Sequence, residues 1–261
     1  MRLATFTFDG AGTPVAGEIR GDRAVAFTDG SSVLERLASG DRTPADGEER
    51  ALAEVRLLAP VPRPRCVFGV GLNYASHAAE TGRDLPEAPI VFMKLPSSVA
   101  APGDDVHCPA VVRRLDYEGE LAFVMGAGGA IAGYAVADDV TARDLQRREA
   151  QWTRAKGFDG SCPWGPWITT ADAVPDPLAL HLRTWVNGEL RQDAPTSDLI
   201  FTPEQIVAFL RETCTLEPGD LVLTGTPSGV GIGLEPQQFL ASGDIVRIEI
   251  EGLGGIEHRV A

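Results

Sequence analysis

Over the first sixty positions apolar and polar residues alternate in short runs, Leu3–Phe8, Val15–Ile19 and Ala24–Thr28, separated by glycine-containing turns. Period-two runs broken this way predict successive β-hairpins. Ser31 and Ser32 then stand before the run Val33–Ala38, which Gly40 stops, so a short capped helix is expected there. The polar stretch Asp41–Glu49 and the cluster Pro60-Val61-Pro62-Arg63-Pro64 read as a linker. We therefore expect a small β-rich N-terminal domain at residues 1–60 and a second unit at 61–261.

In that second unit Val67–Gly71, Ile90–Lys94, Leu121–Met125, Ile131–Ala137, Leu221–Thr224 and Ile245–Ile250 read as strands. Asn73 is placed to cap a helix over Tyr74–Thr81, ended by Gly82. Thr141 with Asp144 has the spacing of a capping box for a helix to about Ala150. Thr202-Pro203-Glu204-Gln205 opens the clearest amphipathic helix, with Ile206, Val207, Phe209 and Leu210 on its buried side. The fold class is mainly β with some α, an α+β protein.

Composition narrows the function classes. At 261 residues, 44% hydrophobic and 23% charged, the chain can bury a core without a metal or disulfide staple. Its net charge of −14 disfavours nucleic acid and anionic lipid as partners. No apolar run reaches membrane-spanning length, and MRLATFTFDG lacks a signal-peptide core, so a cytoplasmic protein is expected. Cys66, Cys108, Cys162 and Cys214 form no C-x-x-C pair, which points to buried structural thiols rather than disulfides or thiolate zinc. Of 23 basic residues only Lys94 and Lys156 are lysines, so each is expected to have a specific task.

Candidate chemistry is concentrated in a few segments. Glu118 and Glu120, two apart at the start of an apolar strand, project to one side. An isolated E-x-E is more often a solvated strand face, but here the strand that follows is apolar. Asp139, beside Asp138, ends the strand from Ile131. Three carboxylates without thiolate or paired histidines suit Mg²⁺ or Mn²⁺, with Ca²⁺ also compatible. His77 and Glu80 lie at i, i+3, where a carboxylate can orient and activate an imidazole base, although such a pair is also common as a surface hydrogen bond. Arg143 and Gln146 share the same spacing, and Lys156 sits in a glycine-rich segment as either an electrostatic group or an ordinary solvated lysine. The run Thr224–Gly233 can cradle an anion through backbone amides, but it lacks the lysine and helix of a nucleotide loop. His107, His181 and His258 have no matched partners and read as structural.

Five of these segments occur in one order: Asn73-Tyr74-x-x-His77-x-x-Glu80, Asp116-Tyr117-Glu118-x-Glu120-Leu121, Asp138-Asp139-Val140-Thr141-Ala142-Arg143-Asp144-Leu145-Gln146, Lys156-x-Phe158-Asp159, and Pro218-Gly219-Asp220 with Gly225-Thr226-Pro227. Together, across residues 65–255, they resemble the fumarylacetoacetate hydrolase family, and within it the small acylpyruvase and 2-hydroxyhepta-2,4-diene-1,7-dioate isomerase-like branch. The resemblance implies a mixed β-sandwich roll, a bound Mg²⁺ or Mn²⁺, and a homodimer. It assigns Glu118, Glu120 and Asp139 to the metal, His77, Glu80 and Lys156 to catalysis, and Arg143, Gln146 and Thr226 to the substrate. Two departures stand out: Asp138 replaces a common Asn, with a role that stays open, and Gly119 replaces a commoner β-branched residue.

The expected substrate is a small 2-oxo acid that chelates the metal, so that an enolate can develop at C3. Hydrolytic C–C cleavage of a 2,4-dioxo acid of the acylpyruvate or fumarylpyruvate type ranks first, with His77 and Glu80 activating water. The alternatives are isomerisation of 2-hydroxyhepta-2,4-diene-1,7-dioate and decarboxylation of oxaloacetate. A non-catalytic metal-binding scaffold is the reading from a different class. The distal group of the substrate is expected to meet the segment around His77 and the tryptophans Trp152, Trp164 and Trp167.

Overall fold

A computed structural model describes residues 1–8 and 12–261. Many short apolar runs can satisfy their backbone groups only by pairing, and most of them join one large mixed sheet. Its strands lie in the order Glu49–Ala51, Arg23–Ala26, Val15–Arg20, Arg2–Thr7, Cys162–Thr170, Ile131–Asp138, Gly119–Met125, Leu221–Leu223, Val67–Gly71 and Ile90–Lys94. Arg56–Leu58 and Val99–Ala100 add side pairings to Arg2–Thr7 and Cys162–Thr170. A second, antiparallel sheet holds Glu189–Pro195, His181–Val186, Ile245–Ile250 and Gly254–Arg259 in that order.

The division near residue 61 marks where the family-like motifs begin, and the sheet continues across it. Arg2 and Leu3 pair with Thr169 and Ile168, so the N-terminal hairpins extend the main sheet.

Strand pleating sorts the core. Leu121, Phe123 and Met125 enter a cluster with Val136, Leu182, Val246 and Ile248, which fills the space between the two sheets. Ala122 and Val124 point the other way, into a cluster with Leu3, Trp164, Val33 and Leu37. Gly119 packs directly against Thr184, Gln192 and Ile248 of the second sheet. A Cβ there would sit 2.3 Å from Thr184 Oγ1, which explains why a β-branched residue is absent.

Helix starts follow the sequence only where capping has no competitor. Ser32 and Thr202 both form capping boxes, opening the helices Val33–Ser39 and Pro203–Arg211. Ile206, Val207 and Leu210 are buried on the second of these, while Phe209 is half-buried. Thr141 caps nothing: its hydroxyl donates to Asp139 O at 2.7 Å, and the helix there is Arg143–Arg148. Asn73 is likewise drawn away. It bonds Phe201 and Thr224 across the chain, and the helix after it is Ala75–Glu80.

Four strands of six or more residues are not among those expected from the sequence: Cys162–Thr170, His181–Val186, Glu189–Pro195 and Gly254–Arg259, although Asn187-Gly188, with φ of 52° and 80°, is a hairpin signal between the second and third. The first, CPWGPWITT, carries prolines and a glycine, residues that usually mark turns, yet every residue in it is buried at the centre of the main sheet. Against the expectation of four buried thiols only Cys162 is buried, where burial pushes its thiol up to about 12; Cys66 and Cys108 are half-buried and Cys214 is exposed. No helix among the described residues is long and apolar enough to cross a membrane.

Candidate active and metal site

The pairing of strands Gly119–Met125 and Ile131–Asp138 assembles the acidic centre. Gly119 opposes Asp138 and Glu120 opposes Ala137. Just beyond the ladder, Asp139 N–H donates to Glu118 O at 2.9 Å, and Glu118 N–H donates to Asp138 Oδ1 at 2.8 Å. One ligand oxygen from each of Glu118, Glu120 and Asp139 thus lies within 4.8 Å of the others, and all three residues are buried.

Three cations are packed against this triad. Lys156 Nζ bonds Glu118 Oε2 at 2.6 Å, Asp139 Oδ2 at 2.7 Å and Thr141 Oγ1 at 2.8 Å. Arg143 pairs with Glu118 Oε1 at 2.6 Å and with Asp116 Oδ2 at 2.7 Å. Lys94 Nζ bonds Asp139 Oδ1 at 2.6 Å. Neither lysine is the solvated surface group that lysines usually are.

The electrostatics separate the two glutamates. Burial opposes the charge on Glu118, but Lys156 and Arg143 outweigh it and hold the carboxyl at about 2. Glu120 has no such partner. Burial first, then the charges of Asp139 and Glu118, push its carboxyl well above the ordinary range. Burial works against the ammonium of Lys156 too, yet Asp139 and Glu118 raise it, so it stays protonated. Glu120 keeps one hydrogen bond, from Gly225 N–H at 2.6 Å. Gly225 presents that N–H with φ at 103°, a conformation that L side chains rarely adopt.

His77 and Glu80 meet as their spacing predicts, with Nδ1 and Oε2 3.2 Å apart. A carboxylate only accepts, so Nδ1 carries the proton in the neutral ring and Nε2 keeps its lone pair. Glu80 is fixed from behind by Gly229 N–H at 2.8 Å. Asp116 receives N–H groups from Gly231 at 2.7 Å and Ile232 at 3.0 Å. The glycine-rich segment therefore does bind anions through its amides, but they are the protein's own carboxylates.

A cavity of about 330 Å³ brings eight of the nine sequence-predicted residues together: His77, Glu80, Glu118, Glu120, Arg143, Gln146, Lys156 and Thr226 all line it. Asp139, the ninth, lies behind Lys156 within the carboxylate cluster. The hydroxyl of Thr226 is already tied, donating to Gly119 O at 2.9 Å and accepting from Gln192 at 2.7 Å. Of the three tryptophans expected near the substrate only Trp152 lines the cavity, edge-on to Phe92. Trp164 is fully buried in the core behind the sheet, and Trp167 packs under Arg2.

Sequence reasoning missed several participants. Lys94 was signalled only by the rarity of lysine. Asp116 ties Arg143 to the glycine segment. Asp138 is fully buried and its Oδ2 lies 2.8 Å from His258 Nε2, so the carboxyl group that replaces the common Asn is hydrogen-bonded to an imidazole inside the fold. Arg83 and Arg147 also line the cavity, and among the described residues neither has a carboxylate partner within 4.0 Å.

The donor set fits a divalent metal ion. Three buried carboxylates converge, one of them without a cation of its own, and all donors are hard oxygens that suit Mg²⁺ or Mn²⁺.

Residues 66–261 match the family model described as "Fumarylacetoacetate (FAA) hydrolase C-terminal". The chain belongs to the fumarylacetoacetate hydrolase family, a family of enzymes. Among curated relatives, the oxaloacetate tautomerase YisK of Bacillus subtilis is 39% identical over 259 aligned residues, covering 88% of this chain and 86% of that protein. Among solved structures, 2-hydroxyhepta-2,4-diene-1,7-dioate isomerase from Mycobacterium marinum superposes with a TM-score of 0.83 at 35% identity, covering 100% of this chain and 98% of that one. Maleylpyruvate hydrolase from Sphingobium sp. SYK-6, in complex with manganese(II) and pyruvate, gives a TM-score of 0.81 at 30% identity, covering 100% and 99%.

Proposed function

We propose that this chain is a divalent-metal-dependent enzyme that enolises a 2-oxo dicarboxylate, and that keto–enol tautomerisation of oxaloacetate is the reaction its site supports best. The observation that carries the reading is the meeting, at one cavity of about 330 Å³, of Glu118 and Glu120 with Asp139 clustered behind them, the His77–Glu80 pair and an array of cations. The relatives named oxaloacetate tautomerase lend it support.

A divalent ion held by Glu118, Glu120 and Asp139 would bind the carboxylate and keto oxygens of a 2-oxo acid and draw electron density from C3. The chain's own residues do the rest. Lys156 and Arg143, both kept protonated by their acidic neighbours, offset the negative charge that grows on the keto oxygen. His77 Nε2 removes the C3 proton and returns it to the oxygen, or the reverse, while Glu80 holds the ring in the required tautomer. Arg83 and Arg147, at the same cavity and without a carboxylate partner among the described residues, are placed to meet a distal carboxylate, which favours a dicarboxylate over a monocarboxylate 2-oxo acid.

C–C hydrolysis of a 2,4-dioxo acid is the second reading. The same imidazole can deprotonate water, and the maleylpyruvate hydrolase structure with pyruvate supports this use of the fold. Decarboxylation ranks lower because it makes no use of the base. The test follows enol absorbance of oxaloacetate with Mg²⁺, subtracting the metal-only rate, beside cleavage of an acylpyruvate by the same preparation. Accelerated tautomerisation with slower or absent cleavage supports the proposal. Cleavage that outpaces tautomerisation reverses the ranking, and neither activity refutes both.

A further inference from the structure

We propose that Lys94 sets the metal preference of the site: by occupying Oδ1 of Asp139 it confines that carboxylate to one-oxygen ligation, favouring Mg²⁺ and Mn²⁺ over Ca²⁺. The inference rests on the metal reading of the triad and on nothing about the reaction that follows.

Lys94 ends the strand Ile90–Lys94 and is 1% exposed, on the far side of Asp139 from the cavity. Its ammonium has three protons and three acceptors: Asp139 Oδ1 at 2.6 Å, Ser161 O at 3.0 Å, and the carbonyl of Lys156. Two of these acceptors are backbone carbonyls outside the carboxylate cluster, so the group keeps its place when an ion takes up the carboxylates. The chain's two lysines therefore divide one carboxylate between them, Lys94 on Oδ1 and Lys156 on Oδ2. Lys156 lines the cavity and bridges two of the ion's carboxylates, so an arriving ion takes its place on Oδ2 while Lys94 keeps Oδ1. The other ligands are anchored in the same way. Arg143 sits on one oxygen of Glu118, and the Gly225 N–H on one oxygen of Glu120. Lys94 touches neither the cavity nor a substrate, so it is a positioning residue.

The consequence follows from ion size. Mg²⁺ takes six oxygens at short, near-octahedral distances and keeps its waters, so one oxygen from each of three carboxylates suffices. Ca²⁺ takes 6–8 oxygens at about 2.3–2.6 Å and commonly gathers them from bidentate carboxylates. With Lys94 fixed on Oδ1, Asp139 offers the ion Oδ2, the oxygen Lys156 gives up, and a bidentate grip would have to share Oδ1 with the ammonium. Removing Lys94 also removes a positive charge, which strengthens binding of every divalent ion. That gain is common to ions of equal charge and cancels in a ratio of affinities.

The experiment is calorimetric titration of the full chain with Mg²⁺, Mn²⁺ and Ca²⁺, for the wild type and for Lys94→Met. The wild type is expected to bind Mg²⁺ and Mn²⁺ more tightly than Ca²⁺, and in Lys94→Met the Mg²⁺-to-Ca²⁺ affinity ratio is expected to fall about tenfold or more, the usual scale for losing a group that orients a ligand. A folded variant whose ratio stays within about twofold of wild type overturns the proposal. A wild type that binds none of the ions overturns the metal reading instead, so the two failures are distinct. Should Lys94→Met not fold, a crystal structure of Ca²⁺-loaded wild type decides: Asp139 ligating through Oδ2 alone, with Lys94 still on Oδ1, supports the proposal, and bidentate Asp139 overturns it.

Discussion

Replacing Glu120 with glutamine is expected to stabilise the metal-free protein while abolishing its response to Mg²⁺. Around the site four buried carboxylates, Asp116, Glu118, Glu120 and Asp139, face three buried cations, Lys94, Lys156 and Arg143. Asp116, Glu118 and Asp139 each touch a cation, whereas among the described residues Glu120 bonds only the Gly225 N–H. Unit charges 4.8 Å apart, the outer limit within the triad, repel by about 3.5 kcal/mol at an effective dielectric near 20. Burial adds to this repulsion and Lys156 offsets part of it, and the balance makes ionising Glu120 unfavourable in the folded protein. The isosteric amide keeps the hydrogen bond from Gly225 and removes that cost.

The pH dependence has a definite sign. Burial and like charges raise the folded-state value of Glu120 above its unfolded one, so between the two the native state binds the extra proton. The penalty is absent below the ordinary glutamate range of about 4.5 and grows as pH rises towards the folded value. Thermal unfolding in EDTA at pH 5 and pH 8 reads this out, because 1 kcal/mol moves Tm by about 2–4 °C in a domain of this size. Glu120→Gln should melt several degrees above wild type at pH 8, with a smaller difference at pH 5. Mg²⁺ at about 100 times its Kd should stabilise wild type by about 2.7 kcal/mol and leave the variant unmoved. A variant that melts below wild type in EDTA, yet still gains from Mg²⁺, would refute the reasoning.

Other outcomes follow from the same geometry. His77→Gln should lower the metal-dependent enolisation rate by about 10²–10⁴-fold in stopped-flow measurements, with Mg²⁺ affinity unchanged; a wild-type rate would remove His77 as the base. Arg83→Met with Arg147→Met should raise KM for oxaloacetate without weakening binding of pyruvate, which has no distal carboxylate. Equal loss for both ligands would contradict the assignment. The family resemblance predicts a homodimer, and a monomer mass in light scattering at micromolar concentration would contradict that.

Much of the site was legible because its chemistry is local in sequence. Glu118 and Glu120 share a strand side, and His77 with Glu80 shares a helix face, so spacing alone pairs them. What spacing cannot supply is register, and it is the opposition of Gly119 to Asp138 that brings Asp139 to the two glutamates. Lys94 was beyond reach for the same reason, since its three acceptors lie 45, 62 and 67 residues away. Capping failed at Thr141 because a buried ammonium competes for its hydroxyl, and it succeeded at Ser32 and Thr202, where nothing does. The central strand Cys162–Thr170 hid behind residues that usually mark turns, because burial on both faces removes the alternation that reveals a strand.

The central claim is that Glu118, Glu120 and Asp139 hold a divalent ion to which a 2-oxo acid is chelated. Anomalous diffraction from crystals soaked with Mn²⁺ and pyruvate tests it most directly. The account predicts one strong peak at about 2.0–2.3 Å from a single oxygen of each of the three carboxylates, with the pyruvate carboxylate and keto oxygens completing the shell. His77 Nε2 should then lie within reach of the pyruvate methyl carbon. Manganese bound elsewhere, or pyruvate settled in the cavity without touching the ion, would contradict it.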